Sequence, residues 1–265
     1  MPADPRGTTV RVLMIGDVVG KLGRHILART VPELRRQHAL DLVIANGENA
    51  AGDKGLTPET AQEIMAAGAD VITSGNHIWQ HREIYPLLGG EWPVLRPLNY
   101  PEGAPGKGLW CRNGMAVLNL QGRVFMPHHI DCPFRAAEKA LAQLDGVRII
   151  IVDMHAEATS EKVALGWFLD GRVSAVLGTH THVPTADARV LPGGTAYVSD
   201  VGMTGARDSV IGVEVSSVVQ QFLYQVPTRL PAVEKGPGVL NSVMVEIDAA
   251  SGRALSIQRI DCEVA

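Results

Sequence analysis

Short apolar, β-branched runs alternate along the chain with stretches of helical periodicity, and most of the runs stop on Gly, Asn, Asp or His. VRVLMIGD (Val10 to Asp17) reads as a buried strand, and GKLGRHILARTVPELRRQHAL after it turns to a helical period. DLVIAN (Asp41 to Asn46) is a second strand. A loop rich in Gly and Asn leads into TPETAQEIMAAGA, where Thr57 can cap a helix and Pro58 can take its first turn. DVITSGNH (Asp70 to His77) is a third strand. This alternation predicts a layered α/β fold that opens with largely parallel strands.

The middle of the chain changes character. GMAVLNLQGRVFM (Gly114 to Met126) predicts two short strands joined at Gln121-Gly122. FRAAEKALAQL and SEKVALGWFLDG are predicted helices, the second with a capping residue, while RIIIVDMH (Arg148 to His155) and VSAVLGTH are strands. ARVLPGGTAYVSD predicts a hairpin around Pro192-Gly193-Gly194. VEVSSVVQQFLYQ is the last expected helix, and VLNSVMVEID with GRALSIQRID forms a closing antiparallel pair. No repeat, low-complexity tract or linker is visible, so a single domain over residues 1–265 is expected, with two packed sheets and helices outside them.

Composition narrows the function classes. Hydrophobic residues make up 46% and charged residues 20% of the 265, the profile of a compact globular chain. A net charge of -4 gives no general pull toward nucleic acid or anionic lipid, and no basic, aromatic track for a long RNA is present. Cys111, Cys132 and Cys262 are widely spaced, which fits reduced thiols better than a disulfide frame. MPADPRGTTV lacks the apolar core of a signal peptide, and no apolar run approaches about 18 residues. A cytoplasmic protein with no membrane association is the expectation.

The chemistry gathers where the strands stop: Gly16-Asp17, Asn46-Gly47-Glu48-Asn49, Gly75-Asn76-His77, Met154-His155 and Gly178-Thr179-His180-Thr181-His182. In open α/β sheets, ligand sites lie beyond the carboxyl ends of strands. A mixed Asp, Glu, Asn and His set without cysteine suits manganese, iron or zinc better than calcium or a thiolate site. Gly16, Gly75 and Gly178 permit close backbone approach beside those groups. His180 and His182, as alternate residues of an extended stretch, are expected to point the same way and address neighbouring ions.

These blocks resemble the calcineurin-like metallophosphoesterases. IGDVVG has the Asp of the first motif without its His, and ANGENA places Glu48-Asn49 where a G-D-x-x-D block would stand, whereas SGNHIW and GTHTHV fit well. That combination, with ANGENAAGDKGLT, LGTHTHVPTAD and SDVGMTGARDSVIG, resembles the YmdB family of bacterial metallophosphoesterases along nearly the whole chain. The resemblance implies a four-layer α-β-β-α sandwich with two mixed β-sheets and a dinuclear centre of two divalent or trivalent ions, iron or manganese before zinc. It places Asp17, Glu48, Asn49 and His182 on one ion and Glu48, Asn76, His155 and His180 on the other, with Glu48 bridging and His77 as general acid. The implied activity is hydrolysis of small phosphodiesters such as 2′,3′-cyclic nucleotides, by attack of a metal-bound hydroxide. A homo-oligomeric state and an indirect link to RNA turnover belong to the same implication.

Ordinary roles compete with each assignment. Asp17 could cap the following helix, Glu48-Asn49 and Asn76-His77 could be turn residues, His155 could be a core histidine, and His180 and His182 could sit in a satisfied polar loop. Their joint occurrence favours a site. His25 and His38 fall in a predicted helix and are assigned surface or packing roles. His128-His129 lie outside the blocks and are assigned a loop role or, at most, a pocket wall. Trp79 and His81 are candidates to line the cleft, and Lys54 and Arg207 to meet a substrate phosphate, with solvated loop charge as the alternative. The rival functions are a phosphomonoesterase or nucleotidase, and a metal-bearing regulatory protein.

Overall fold

The computed structural model describes residues 8–52, 54–127 and 129–265. Strand β1 (Thr9–Ile15) lies at the centre of a five-stranded mixed sheet, in the order β14 (Ala254–Arg259), β13 (Ser242–Asp248), β1, β3 (Leu42–Asn46), β4 (Val71–Thr73). Strands β1, β3 and β4 run parallel, and the closing pair β13–β14 adds antiparallel strands. A six-stranded mixed sheet follows the order β5 (Leu109–Arg112), β6 (Met115–Gln121), β7 (Ile149–His155), β8 (Ala175–Thr179), β10 (Ala196–Val198), β9 (Arg189–Val190). Its four inner strands are parallel and its edges antiparallel.

The inner strands read as unbroken apolar runs because they are buried on both faces. Val12, Met14, Leu42 and Ile44 of the first sheet share one core cluster with Val117, Ile151, Leu177 and Val198 of the second. The alternate residues Leu13, Ile15, Val43 and Ala45 pack instead with Ile26, Leu27 and Val31 of helix α1 (Gly20–His38) and Ile64 of α2 (Pro58–Ala66). On the other side, Leu118, Ile150 and Val152 pack with Ala137 of α4 (Pro133–Leu141) and Leu165 of α5 (Thr159–Leu169). The short α3 (Tyr85–Leu88) and the late α6 (Val215–Tyr224) complete the helices. No helix among the described residues is long and apolar enough to cross a membrane.

Several local expectations hold for their stated reasons. Thr57 caps α2 reciprocally with Thr60: Thr57 Oγ1 accepts from the Thr60 amide at 3.3 Å, and Thr60 Oγ1 accepts from the Thr57 amide at 2.9 Å. The hairpin around Pro192-Gly193-Gly194 pairs β9 with β10. Three details differ. Gly114 to Met126 contains one strand, β6, and its antiparallel partner is the earlier β5, turned at Asn113 (φ 53°) and Gly114 (φ 74°). Beyond Gly122, the amides of Arg123 and Val124 donate to the Glu161 carboxylate, so this backbone bonds a side chain in place of a strand. The residue at the start of α5 is Ala158, which supplies no side-chain cap. Finally, a third, four-stranded sheet, in the order β15 (Cys262–Val264), β12 (Gly238–Leu240), β11 (Met203–Ala206), β2 (Asp17–Val18), accompanies the two expected sheets.

This third sheet sets the position of Asp17, since β2 carries that residue away from β1 toward β11. In the second sheet, Gln121, His155 and Thr179 stand in register at the carboxyl ends of β6, β7 and β8.

Candidate metal centre

The parallel strands of both sheets deliver their terminal polar residues to one place. Asp17, Glu48 and His155 are wholly or almost wholly buried, and Asn49 and Asn76 nearly so. Glu48 Oε1 lies 2.8 Å from His77 Nδ1 and 3.2 Å from His155 Nε2, and the His77 amide reaches Glu48 Oε2 at 3.3 Å. His155 Nε2 in turn faces His180 Nδ1 at 3.1 Å. Asp17 Oδ1 is 3.8 Å from both His182 Nε2 and His155 Nδ1, while its Oδ2 accepts from the His180 amide at 3.1 Å. Gly75 makes the approach possible: a Cβ there would stand 2.0 Å from His155 Cδ2 and 2.2 Å from Glu48 Oε2.

Polar partners on the far side of each ring fix which imidazole nitrogens face the interior. Thr179 donates its hydroxyl to Asp153 Oδ1 at 2.7 Å, so its oxygen accepts from His155 Nδ1–H at 2.9 Å. Asn46 Nδ2 donates to Asp153 Oδ2 at 3.0 Å and supports the same network. Glu157 Oε2 lies 3.1 Å from His180 Nε2, and the Ile211 carbonyl accepts from His182 Nδ1 at 2.8 Å. The nitrogens left for the interior are Nε2 of His155, Nδ1 of His180 and Nε2 of His182.

The carboxylates create a strongly negative pocket. Burial alone would raise the Glu48 carboxyl and lower the His155 imidazolium, but their mutual attraction reverses both: Glu48 is held below the usual carboxylate range, and His155 is raised to about 9 with help from Asp17 and Asp153. Burial and the neighbouring His155 push His180 down to about 3. Burial raises Asp17, opposed by His182 and His155, and raises Asp153 to about 6.

A cation fits this donor set. Asp17 Oδ1 and Asn76 Oδ1 are buried oxygens without a hydrogen-bond partner, an expensive condition that coordination would relieve, and Glu48 Oε1 meets only the imidazoles of His77 and His155. One ligand atom each of Glu48, His155 and His180 lies within 4.8 Å of the others, a spacing a single ion can fill. The 3.8 Å between Asp17 Oδ1 and His182 Nε2 suits two donors about 2.0–2.2 Å from a shared ion. Asn49 is engaged differently: its Oδ1 accepts from His77 Nδ1 at 3.1 Å and its Nδ2 donates to His182 Nε2 at 2.9 Å. Coordination through Asn49 Oδ1 would require that amide to turn away from His77.

A model of the family described as "YmdB-like protein" matches residues 13–260. The chain belongs to the YmdB-like family. A 2′,3′-cyclic-nucleotide 2′-phosphodiesterase of Bacillus subtilis (strain 168) is 46% identical over 256 residues, which cover 95% of this chain and 96% of the relative. A hypothetical protein from Thermus thermophilus superposes with a TM-score of 0.90 at 44% identity, covering 97% of this chain and 100% of its own. A structure described as a novel phosphatase of Mycoplasma pneumoniae gives a TM-score of 0.90 at 33% identity, with 96% of this chain and 94% of that chain covered.

Within this member of the YmdB-like family, the loop holding His180 and His182 is not extended. Their φ angles are +101° and +65°, so the two imidazoles reach the interior through a tight turn, not through strand alternation. Asp17 does not cap α1, whose capping residue is Val19. Trp79 packs edge-on against Tyr85 and Tyr100, at centroid distances of 5.4 and 5.3 Å. His81 Nε2 contacts the Lys54 carbonyl at 3.1 Å, and Lys54 itself is exposed. Arg207 is engaged with Asp208 and Glu263. His129 is exposed, and His128 lies outside the described residues. His25 is exposed and His38 half-buried on α1.

The sequence pattern did not point to Asp153, Thr179, Glu157 or Ile211, which orient the three histidines. Asp153 carried a signal: a carboxylate in the middle of an otherwise apolar strand, two residues before His155, needs a buried partner. Ile211 carried none, because its contribution is a backbone carbonyl.

Proposed function

We propose that the chain is a metal-dependent phosphoric ester hydrolase that cleaves small phosphodiesters, 2′,3′-cyclic nucleotides among them, within a four-layer α-β-β-α sandwich. The observation that carries the reading is the convergence of two unpartnered buried oxygens, Asp17 Oδ1 and Asn76 Oδ1, and the buried Glu48 carboxylate with three imidazole nitrogens whose opposite ring atoms are already engaged. The name of the Bacillus subtilis relative supports the substrate class.

In this reading Asp17, Glu48, Asn49 and His182 hold one ion and Glu48, Asn76, His155 and His180 the other, with Glu48 shared. Manganese or iron suits these oxygen and nitrogen donors, and zinc is compatible with them. When bound, the ions supply positive charge to the phosphate oxygens and a water acidic enough to attack phosphorus near neutral pH. His77 supplies the proton. Its Nδ1 is held against Glu48 and Asn49, which leaves Nε2 to donate to the departing ribose oxygen as the P–O bond breaks. Asn49, bonded to both His77 and His182, ties the acid to the cation site.

A monoesterase needs extra groups for a dianionic terminal phosphate, and Arg207 is committed to Asp208 and Glu263. That favours the diester. The reading includes a cytoplasmic setting, supported by the free thiols Cys111, Cys132 and Cys262. It also includes a homo-oligomer, for which Phe222, Leu223 and Tyr224 on α6 offer exposed apolar surface.

The test is release of nucleoside monophosphate from 2′,3′-cyclic AMP by metal-stripped protein, with and without added manganese, beside His77→Ala. Metal-dependent turnover that collapses in the variant supports the proposal. No turnover at full metal occupancy would sink it and favour a monoesterase or a metal-bearing regulator of RNA turnover.

A further inference from the structure

The two histidines that face the candidate ions from the loop after β8 both have left-handed backbones, on either side of Thr181. Such conformations in residues other than glycine persist only where the surroundings hold them. Asp17 Oδ2 holds the His180 amide directly, and the group that holds the residue between the two histidines is Asp200, just beyond β10. Its Oδ2 accepts from the Thr181 amide at 3.1 Å and from Thr181 Oγ1 at 2.7 Å, while its Oδ1 accepts from the Gly202 amide at 2.8 Å. Its backbone is fastened to the same loop, with Thr185 N–H donating to the Asp200 carbonyl at 3.1 Å and Asp200 N–H donating to Thr185 Oγ1 at 2.9 Å. Lys162 of α5 completes the arrangement from below, with Nζ 2.8 Å from Asp200 Oδ2. Both members of this ion pair are buried, at 2% and 1% exposure.

A buried ion pair is a poor stabiliser compared with two apolar side chains of similar size, because both charges have lost their water. Its presence here therefore calls for another reason, and the Thr181 bonds provide one. We propose that Asp200, charge-balanced by Lys162, is a positioning residue that clamps Thr181 and thereby aims His180 and His182 at the metal centre. Lys162 acts at one remove, as the countercharge to the Asp200 carboxylate. Neither residue has to touch substrate. This inference rests on the reading that those histidines bind metal.

The experiment compares wild type, Asp200→Asn, Lys162→Met and Lys162→Met/Asp200→Asn, reading the Mn2+ dissociation constant of metal-stripped protein by calorimetry and Tm by thermal melt. Loss of an outer partner of a metal-binding histidine costs about 10- to 100-fold in affinity, and that loss is expected for Asp200→Asn together with a lower Tm. Lys162→Met lowers Tm but weakens Mn2+ binding less, because the Thr181 bonds survive. The double variant recovers Tm, having no unpaired buried charge, and keeps the weakened binding.

Recovery of both quantities in the double variant would make the pair purely structural and overturn the proposal, as would wild-type affinity in Asp200→Asn. Should Asp200→Asn fail to fold, Thr181→Val removes one clamp bond and leaves the ion pair intact. It is expected to weaken Mn2+ binding with a modest fall in Tm, with Thr181→Ser restoring both; unchanged affinity in Thr181→Val overturns the clamp. Absence of Mn2+ binding in wild type itself would defeat the metal reading and this proposal together, an outcome distinguishable because it needs no variant.

Discussion

His155 Nε2 faces His180 Nδ1 across 3.1 Å, with Glu48 Oε1 3.2 Å from the same His155 nitrogen. Without a cation, the carboxylates hold a proton on His155, which is why its imidazolium persists to about 9. In the proposed centre a cation would replace that proton and satisfy all three groups together. Metal stripping should therefore lower Tm, and Mn2+ titrated back should raise it, with a stoichiometry near two per chain by elemental analysis. A melt indifferent to chelator and to Mn2+ would remove the basis for a metal centre.

His77 differs from its neighbours in the atom it turns toward the candidate ligands: its Nδ1 is held by Glu48 and Asn49, so Nε2 is the ring atom directed away from them. His77→Ala is expected to lower kcat by about 10²- to 10⁴-fold, the usual contribution of a positioned acid. Metal content should stay close to that of wild type. If metal is lost in proportion to activity, His77 is serving the cation site and its assignment as the acid is wrong.

Much of this site was legible because its parts stand at the carboxyl ends of apolar strands, where parallel sheets expose them. Gly75-Asn76-His77 and Gly178-Thr179-His180 could be read as strand exits from local pattern alone. The backbone of His180 and His182 could not, since left-handed conformations at non-glycine residues leave no compositional trace. Glu157 and Asp200 were equally hidden, because their partners come from other segments and no local spacing joins them. In the fold, the strand β6 was found but its partner misplaced. The turn falls at Asn113-Gly114, an Asn-Gly pair passed over in favour of Gln121-Gly122, and beyond Gly122 the amides of Arg123 and Val124 bond Glu161 in place of a partner strand.

The reciprocal cap at the start of α2 offers a stability test remote from chemistry. Thr57→Ala removes the oxygen that accepts from the Thr60 amide and should cost about 1 kcal/mol in chemical denaturation. Turnover at a temperature well below the melt should be little changed. A loss much larger than this, or a matching loss of activity, would mean that the segment between Asn49 and α2 depends on the cap for its placement.

Gly75→Ala separates close packing from ligand chemistry, because it alters no donor atom. A methyl group at this position would meet His155 Cδ2 at 2.0 Å and Glu48 Oε2 at 2.2 Å, distances that force one or both groups to move. Glu48 is the shared ligand in the proposed centre, so its displacement disturbs both ions at once. The expected result is a Mn2+ affinity at least about 10-fold weaker, the scale seen when a ligand's orientation is lost, and a larger fall in kcat/KM than in Tm-derived stability. A variant that binds Mn2+ as wild type does would show that the Gly75 turn can yield without moving Glu48 or His155, and the tight closure of this turn on the site would then have no functional weight.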